Sequence, residues 1–265
     1  MGKSRVKTDR QAGRCRAVAK EAGRCRAVAK AEAGFTLVEL AVVMIIIGLL
    51  IGGILKGQEL IANAQITGTA SAIKGIDAAT TTFRDTYAAM PGDMINANTR
   101  LPSCTGDCIV AGGSTGNGRV DTTQINAAPG AENIAFWQQL SAADLITGID
   151  PARGNTWGGN YPSAPITGGF HAGFWAGGAL GANTANGGAR PGHYLALNNT
   201  PNAAPTGTAL SATQAARIDR KLDDGVGNTG SIFPINGTTA CSNGTGVYQE
   251  ATGGAVCDLF IRFQN

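Results

Sequence analysis

Gly34-Phe35-Thr36-Leu37-Val38-Glu39-Leu40, running on as Ala41-Val42-Val43-Met44-Ile45-Ile46-Ile47-Gly48-Leu49-Leu50-Ile51-Gly52-Gly53-Ile54-Leu55, decides how the rest of the chain is read. Between Phe35 and Leu55 the only formal charge is Glu39. As a helix rising about 1.5 Å per residue, this run matches the thickness of a hydrocarbon core, and it predicts a membrane-spanning segment. A carboxylate near the middle of such a segment costs roughly 2.5 to 3.5 kcal/mol, so Glu39 asks for a partner.

Charge divides at Gly34. Residues 1–34 hold ten Lys/Arg against three Asp/Glu, and residues 35–265 hold eleven against fifteen. The positive-inside rule then keeps the basic arm in the cytoplasm and sends the C-terminal portion across the membrane. No dense basic patch survives beyond the arm, which argues against nucleic acid as a partner. Within the arm, Ala-Gly-Arg-Cys-Arg-Ala-Val-Ala-Lys occurs twice, ending at Lys20 and Lys30. Two units cannot stack into a core. Residues 1–34 are read as a leader that is removed and takes no part in the fold.

Past Leu55 the helical pattern continues but becomes amphipathic. Leu60, Ile61, Ala64, Ile66, Ile73, Ile76, Phe83 and Tyr87 mark an apolar stripe, with Gln58, Glu59, Asn63, Gln65, Thr67, Lys74, Asp77 and Arg84 between them. Pro91-Gly92 ends the pattern, so one helix is predicted over 36–89. The resulting division is a leader at 1–34, a membrane helix at 35–55, its amphipathic continuation at 56–90 and a head at 91–265. In the head, Gly, Asn, Thr and Ala dominate. Helices are predicted at 131–146, with Ile134, Trp137, Leu140 and Leu145 inward, and at 209–222, with Ala212, Ala215, Ile218 and Leu222 inward. Strand-like pieces fall at 169–176, 193–197 and 256–263; in the last, Leu259, Ile261 and Phe263 alternate with polar residues but Phe260 breaks the alternation.

Four cysteines, Cys104, Cys108, Cys241 and Cys257, lie in the translocated portion, where an oxidising compartment favours disulfides. Of the three possible pairings, the local one, Cys104 to Cys108 and Cys241 to Cys257, is expected. A four-thiolate zinc site is the rival, but its paired C-x-x-C spacing is missing.

Gly34 to Leu40 followed by the apolar helix closely resembles the cleavage and methylation signal of type IV prepilins and type II secretion pseudopilins. The resemblance implies that prepilin peptidase cuts between Gly34 and Phe35, that Phe35 becomes the N-methylated terminus, and that Glu39 serves filament assembly. Elementary electrostatics makes these roles sensible. The cut creates an ammonium at a helix N-terminus, where the macrodipole already supplies about half a positive charge. Glu39 lies one turn on and can meet that ammonium or the one on a neighbouring subunit, fixing axial register in a low dielectric. Weaker resemblance to the same proteins runs through Phe83 to Asp93, Gly116 to Asp121, Trp137 to Leu140 and Asp219 to Gly225.

The family likeness implies an α+β fold: a long N-terminal helix packed on a small head with an antiparallel β-sheet. It also implies a single-pass inner-membrane protein with a periplasmic head, which then enters a pilus or pseudopilus fibre. The implied partners are other pilin subunits in homo- or heteropolymers, prepilin peptidase, the inner-membrane assembly platform and the lipid bilayer. A second reading with the same N-terminal features is a membrane-tethered or fibre-tip module with an adhesive or sugar-binding head.

Asp219, Asp223 and Asp224 beside Gly225 offer clustered carboxylates of the kind that suits calcium, which some pseudopilin heads bind. The same residues also read as a solvated helix C-terminus and turn, since their spacing does not match a twelve-residue calcium loop. No other cofactor is expected. Gly112 to Arg119 lacks the lysine of a phosphate-cradling loop and reads as a turn. His171 and His193 sit in no metal or nucleophile pattern, and Trp137, Trp157 and Trp175 read as core. An enzymatic role is therefore not expected.

Overall fold

The computed structural model describes residues 34–110, 115–121, 131–178, 189–201, 203–235 and 240–264. Residues 1–33, with Cys15 and Cys25, lie outside them. The chain divides into two compact units, Met1–Ile51 and Gly52–Asn265.

Helix α1 spans Leu37–Tyr87 and contains no proline. Its β-branched threonines Thr67, Thr69, Thr80, Thr81, Thr82 and Thr86 each donate their hydroxyl to the carbonyl four residues back, so these polar groups are satisfied within the helix. The helix ends where Ala88 turns left-handed, at φ 50°, while its N–H still bonds to the Arg84 carbonyl at 2.8 Å. Gly92 follows at φ 82°, where a side chain would strike the Glu132 carbonyl. The predicted stripe is corrected at its near end. Ile66, Ile73, Ile76 and Phe83 are buried, whereas Leu60, Ile61 and Ala64 are exposed, because the head first covers the helix at Ile66.

A one-turn helix, α2 (Ala97–Arg100), precedes α3 (Ala131–Ala142) and α4 (Ala212–Leu222). Helix α3 is shorter than predicted and buried almost all round, with Phe136, Trp137 and Leu140 inside but also Glu132, Asn133, Gln138 and Gln139. Helix α4 begins three residues later than predicted because Ser211 and Gln214 form a reciprocal capping box there. Strands β1 (Gly169–Trp175), β2 (Gly192–Asn198), β3 (Ile232–Ile235) and β4 (Asp258–Gln264) make one antiparallel sheet in the order β1-β2-β4-β3. Strand β3 was not predicted.

One sheet face, with Phe170, Ala172, Leu195, Leu197, Ile232, Leu259 and Ile261, shares a core with Ile66, Ile73, Ile76 and Phe83 of α1 and with α3 and α4. Alternation along the strands sends Trp175, Tyr194, Ala196, Phe233, Ile235 and Phe260 to the other face, where they form a second apolar cluster. Phe260 therefore breaks the polar alternation of its strand because that strand is covered on both sides.

Candidate functional site

Gly34, Phe35 and Thr36 precede the helix without regular structure, so the Gly34–Phe35 bond lies outside α1. What sets this boundary is a capping box. The Glu39 carboxylate accepts from the Thr36 N–H and from the Thr36 hydroxyl, both at 3.0 Å and both through Oε2, while Thr36 Oγ1 accepts from the Glu39 N–H at 3.2 Å. Two of the orphan donors at the helix start are satisfied this way. Thr36-Leu37-Val38-Glu39 carries the T-x-x-E spacing that signals such a box, so Glu39 has a local structural role beside its charge. Its Oε1 takes no donor among the described residues. Phe35 is 88% exposed, and the apolar side chains that follow, as far as Leu55, are all exposed as well. Among the described residues α1 is the one helix long and apolar enough to cross a membrane.

The cysteines are joined as Cys104–Cys108 and Cys241–Cys257, with Cα–Cα distances of 5.4 and 5.3 Å. The first closes the 3-10 turn Gly106–Cys108, whose Cys108 carbonyl accepts from Gln139 of α3. The second ties the 241–249 loop to the residue preceding β4.

Asp219, Asp223 and Asp224 come together, with one oxygen of each within 4.8 Å of the others. Each is also an acceptor in the local chain. Asp219 is fully buried and takes the Tyr248 hydroxyl at 2.7 Å and the Gly225 N–H at 3.3 Å. Asp223 takes the N–H groups of Ser231 and Ile232, and Asp224 those of Val226 and the Thr229 hydroxyl. Burial pushes the Asp219 carboxyl up to about 6 despite its bond from Tyr248.

A second cluster escapes sequence reading. Residues 115–121 are pinned by buried titratable side chains from three other elements. Asp93 accepts the N–H groups of Gly116, at 2.7 Å, and Gly118; His193 Nε2 accepts that of Val120 at 3.3 Å; Glu132 accepts that of Asp121. The Val120 carbonyl in turn accepts from Phe174 at 3.1 Å. This stretch is thus more than the free turn it resembles. His171 is buried beside Trp157 and Tyr161, with ring centroids 5.1 and 4.8 Å away, and burial lowers its pKa to about 3.

Helix α1 thus opens at a capping box, with Gly34 to Thr36 outside the helix and an exposed apolar run beyond it. Residues 29–55 match the family model described as the prokaryotic N-terminal methylation motif, so the chain carries the type IV prepilin and pseudopilin signature. No curated protein and no solved structure matches it.

Proposed function

We propose that the chain is a structural subunit of a bacterial type IV pilus or type II secretion pseudopilus. Prepilin peptidase removes the leader between Gly34 and Phe35, Phe35 is N-methylated, and the subunit leaves the inner membrane to polymerise through its N-terminal helix. The supporting observation is the coincidence, in one stretch, of the methylation motif with a helix whose apolar side chains from Leu37 to Leu55 are all exposed among the described residues. Exposed apolar surface of that extent is stable in lipid or against like helices. Glu39 serves twice: Oε2 caps its own helix, and Oε1 is offered to the Phe35 ammonium of a neighbouring subunit.

Mass spectrometry of the mature protein tests processing, and the expected N-terminus is methyl-Phe35. Any other terminus rules out this route. Glutamine substitutes for glutamate in a capping box but carries no charge. Glu39→Gln is therefore expected to insert in the membrane and yet stay out of sheared fibres, as Glu39→Ala is also expected to do. Fibres holding Glu39→Gln at the wild-type level would show that capping, and not charge pairing, is what assembly needs from this residue.

A further inference from the structure

We propose that Arg190 and Arg262, gathered around Tyr194, form a binding site in the head for a phosphate-type dianion. Tyr194 lies opposite Arg262 in the register of β2 and β4, so both side chains leave the same sheet face, the one that carries the second apolar cluster. The register shifts between His193 and Tyr194, an irregularity of the kind that re-aims side chains. Tyr194, fully buried, donates its hydroxyl to the Arg190 carbonyl at 2.8 Å, and Arg262 Nη2 donates to the Pro191 carbonyl at 3.1 Å. These two bonds hold the bend before β2 against the end of β4 and bring two cations to one place.

Neither cation meets an acid. Among the described residues the ion pairs are Lys56–Glu59 and Arg220–Glu250, and neither arginine belongs to them. Residues 176–192 and 259–265 contain no Asp or Glu. Asp258, on β4, gives its oxygens to the N–H groups of Gly207, Thr208 and Ala209. Asp223 accepts from Ser231 and Ile232 on the β3 flank of β4, whereas Arg262 reaches across the β2 flank to Pro191. Burial raises the Tyr194 pKa, and the charges of Arg262 and Arg190 oppose that rise. Arg262 also has donating capacity to spare, since its buried Nε finds no acceptor among the described residues, and Arg190 is exposed. An unpaired buried donor on a cation is costly, and planar guanidinium forks match phosphate oxygens. Two cations with no acid between them suit a dianion better than a monoanion.

The test is a titration of the full chain in nonionic micelles with sodium phosphate at constant ionic strength, followed through backbone amide shifts. Saturable shifts are expected at Arg190, Tyr194 and Arg262. Arg190→Gln, which alters an exposed side chain outside the strands, should weaken binding about tenfold or more, the worth of a charge-assisted bond, and Arg262→Gln likewise. Arg262→Lys keeps the charge but loses the fork, and should recover only part of the affinity. Glycerol 1-phosphate in place of phosphate tells an esterified group from the free ion, the tighter binder being the form the site is built for. Shifts that do not saturate, that sodium chloride reproduces, or that survive Arg190→Gln unchanged overturn the inference. So does acetate binding as tightly as phosphate. An Arg262→Gln variant that melts earlier yet binds phosphate as before also overturns it, because that side chain would then serve only to hold Pro191.

Discussion

The two halves of α1 share a helix and repeated isoleucines, yet every apolar side chain from Leu37 to Leu55 is exposed while Ile66, Ile73, Ile76 and Phe83 are buried. Among the described residues nothing covers the first half, so its contribution to stability must come from a surrounding medium. The second half is the central rib of the head core. In the first, a single carboxylate and its cap carry the chemistry; in the second, even the threonine hydroxyls are turned inward to backbone carbonyls. One helix thus divides into a part that acts and a part that holds.

A truncation in each half probes that division most strongly. Phe83 is fully buried, and Phe83→Ala should destabilise the head by about 3–5 kcal/mol, which lowers its melting temperature by on the order of 10 °C. Leu50, 60% exposed, should give no measurable change as Leu50→Ala when the head is followed by near-ultraviolet circular dichroism. Comparable shifts from the two variants would break the comparison.

The disulfides sharpen it next, since both lie wholly in the head. Closing a loop of about 15 residues is worth about 3 kcal/mol, so the Cys241→Ser, Cys257→Ser double variant should lose roughly that much in a denaturant titration. Cys104 and Cys108, four residues apart, should lose about 2 kcal/mol by the same relation. On the proposed route neither variant should alter cleavage before Phe35, because neither disulfide involves a residue of the motif at 29–55.

The acting half was legible in the sequence because its properties are local. Apolar length, the charge split and Gly34 to Leu40 need no knowledge of tertiary contacts. Of the holding half, helix existence and three strands were readable from periodicity, but the exceptions were set by distant partners. Strand β3 escapes because Ile232-Phe233-Pro234-Ile235 is short and contains proline; it is tolerated there because β3 is the edge strand of the sheet. The polar residues of α3 fall outside the apolar pattern that predicts the helix but are buried hydrogen-bonding groups, as Gln139 shows by bridging Gly92 and the Cys108 carbonyl. Nothing in the local sequence joins Asp93, Glu132 and His193, which only the fold brings to one strap.

That strap offers the smallest effect, and one whose sign depends on pH. Burial, aided by the charges of Arg84 and Arg119 and opposed by Asp93 and Asp121, lowers the His193 pKa to about 4 from 6.5. Its contribution to holding Val120 is complete above 6.5 and is lost as pH falls through 4, because a protonated Nε2 cannot accept. Burial, with help from Asp93 and Asp121, raises the Glu132 pKa to about 7 from 4.5. Its contribution is complete below 4.5 and is lost as pH rises through 7, when a buried carboxylate is forced to ionise. Between 4.5 and 6.5 the two slopes oppose each other, and exchange of the amides of 116–121, corrected for intrinsic rate, should be slowest and nearly flat there. Opening should increase on either side. Glu132→Gln should remove the alkaline rise alone, and His193→Gln, whose amide oxygen still accepts, the acid rise alone. The exposed half of α1, which has no such buried acceptors, should show neither limb; a matching profile there would mean that the strap reports the solvent and not its own anchors.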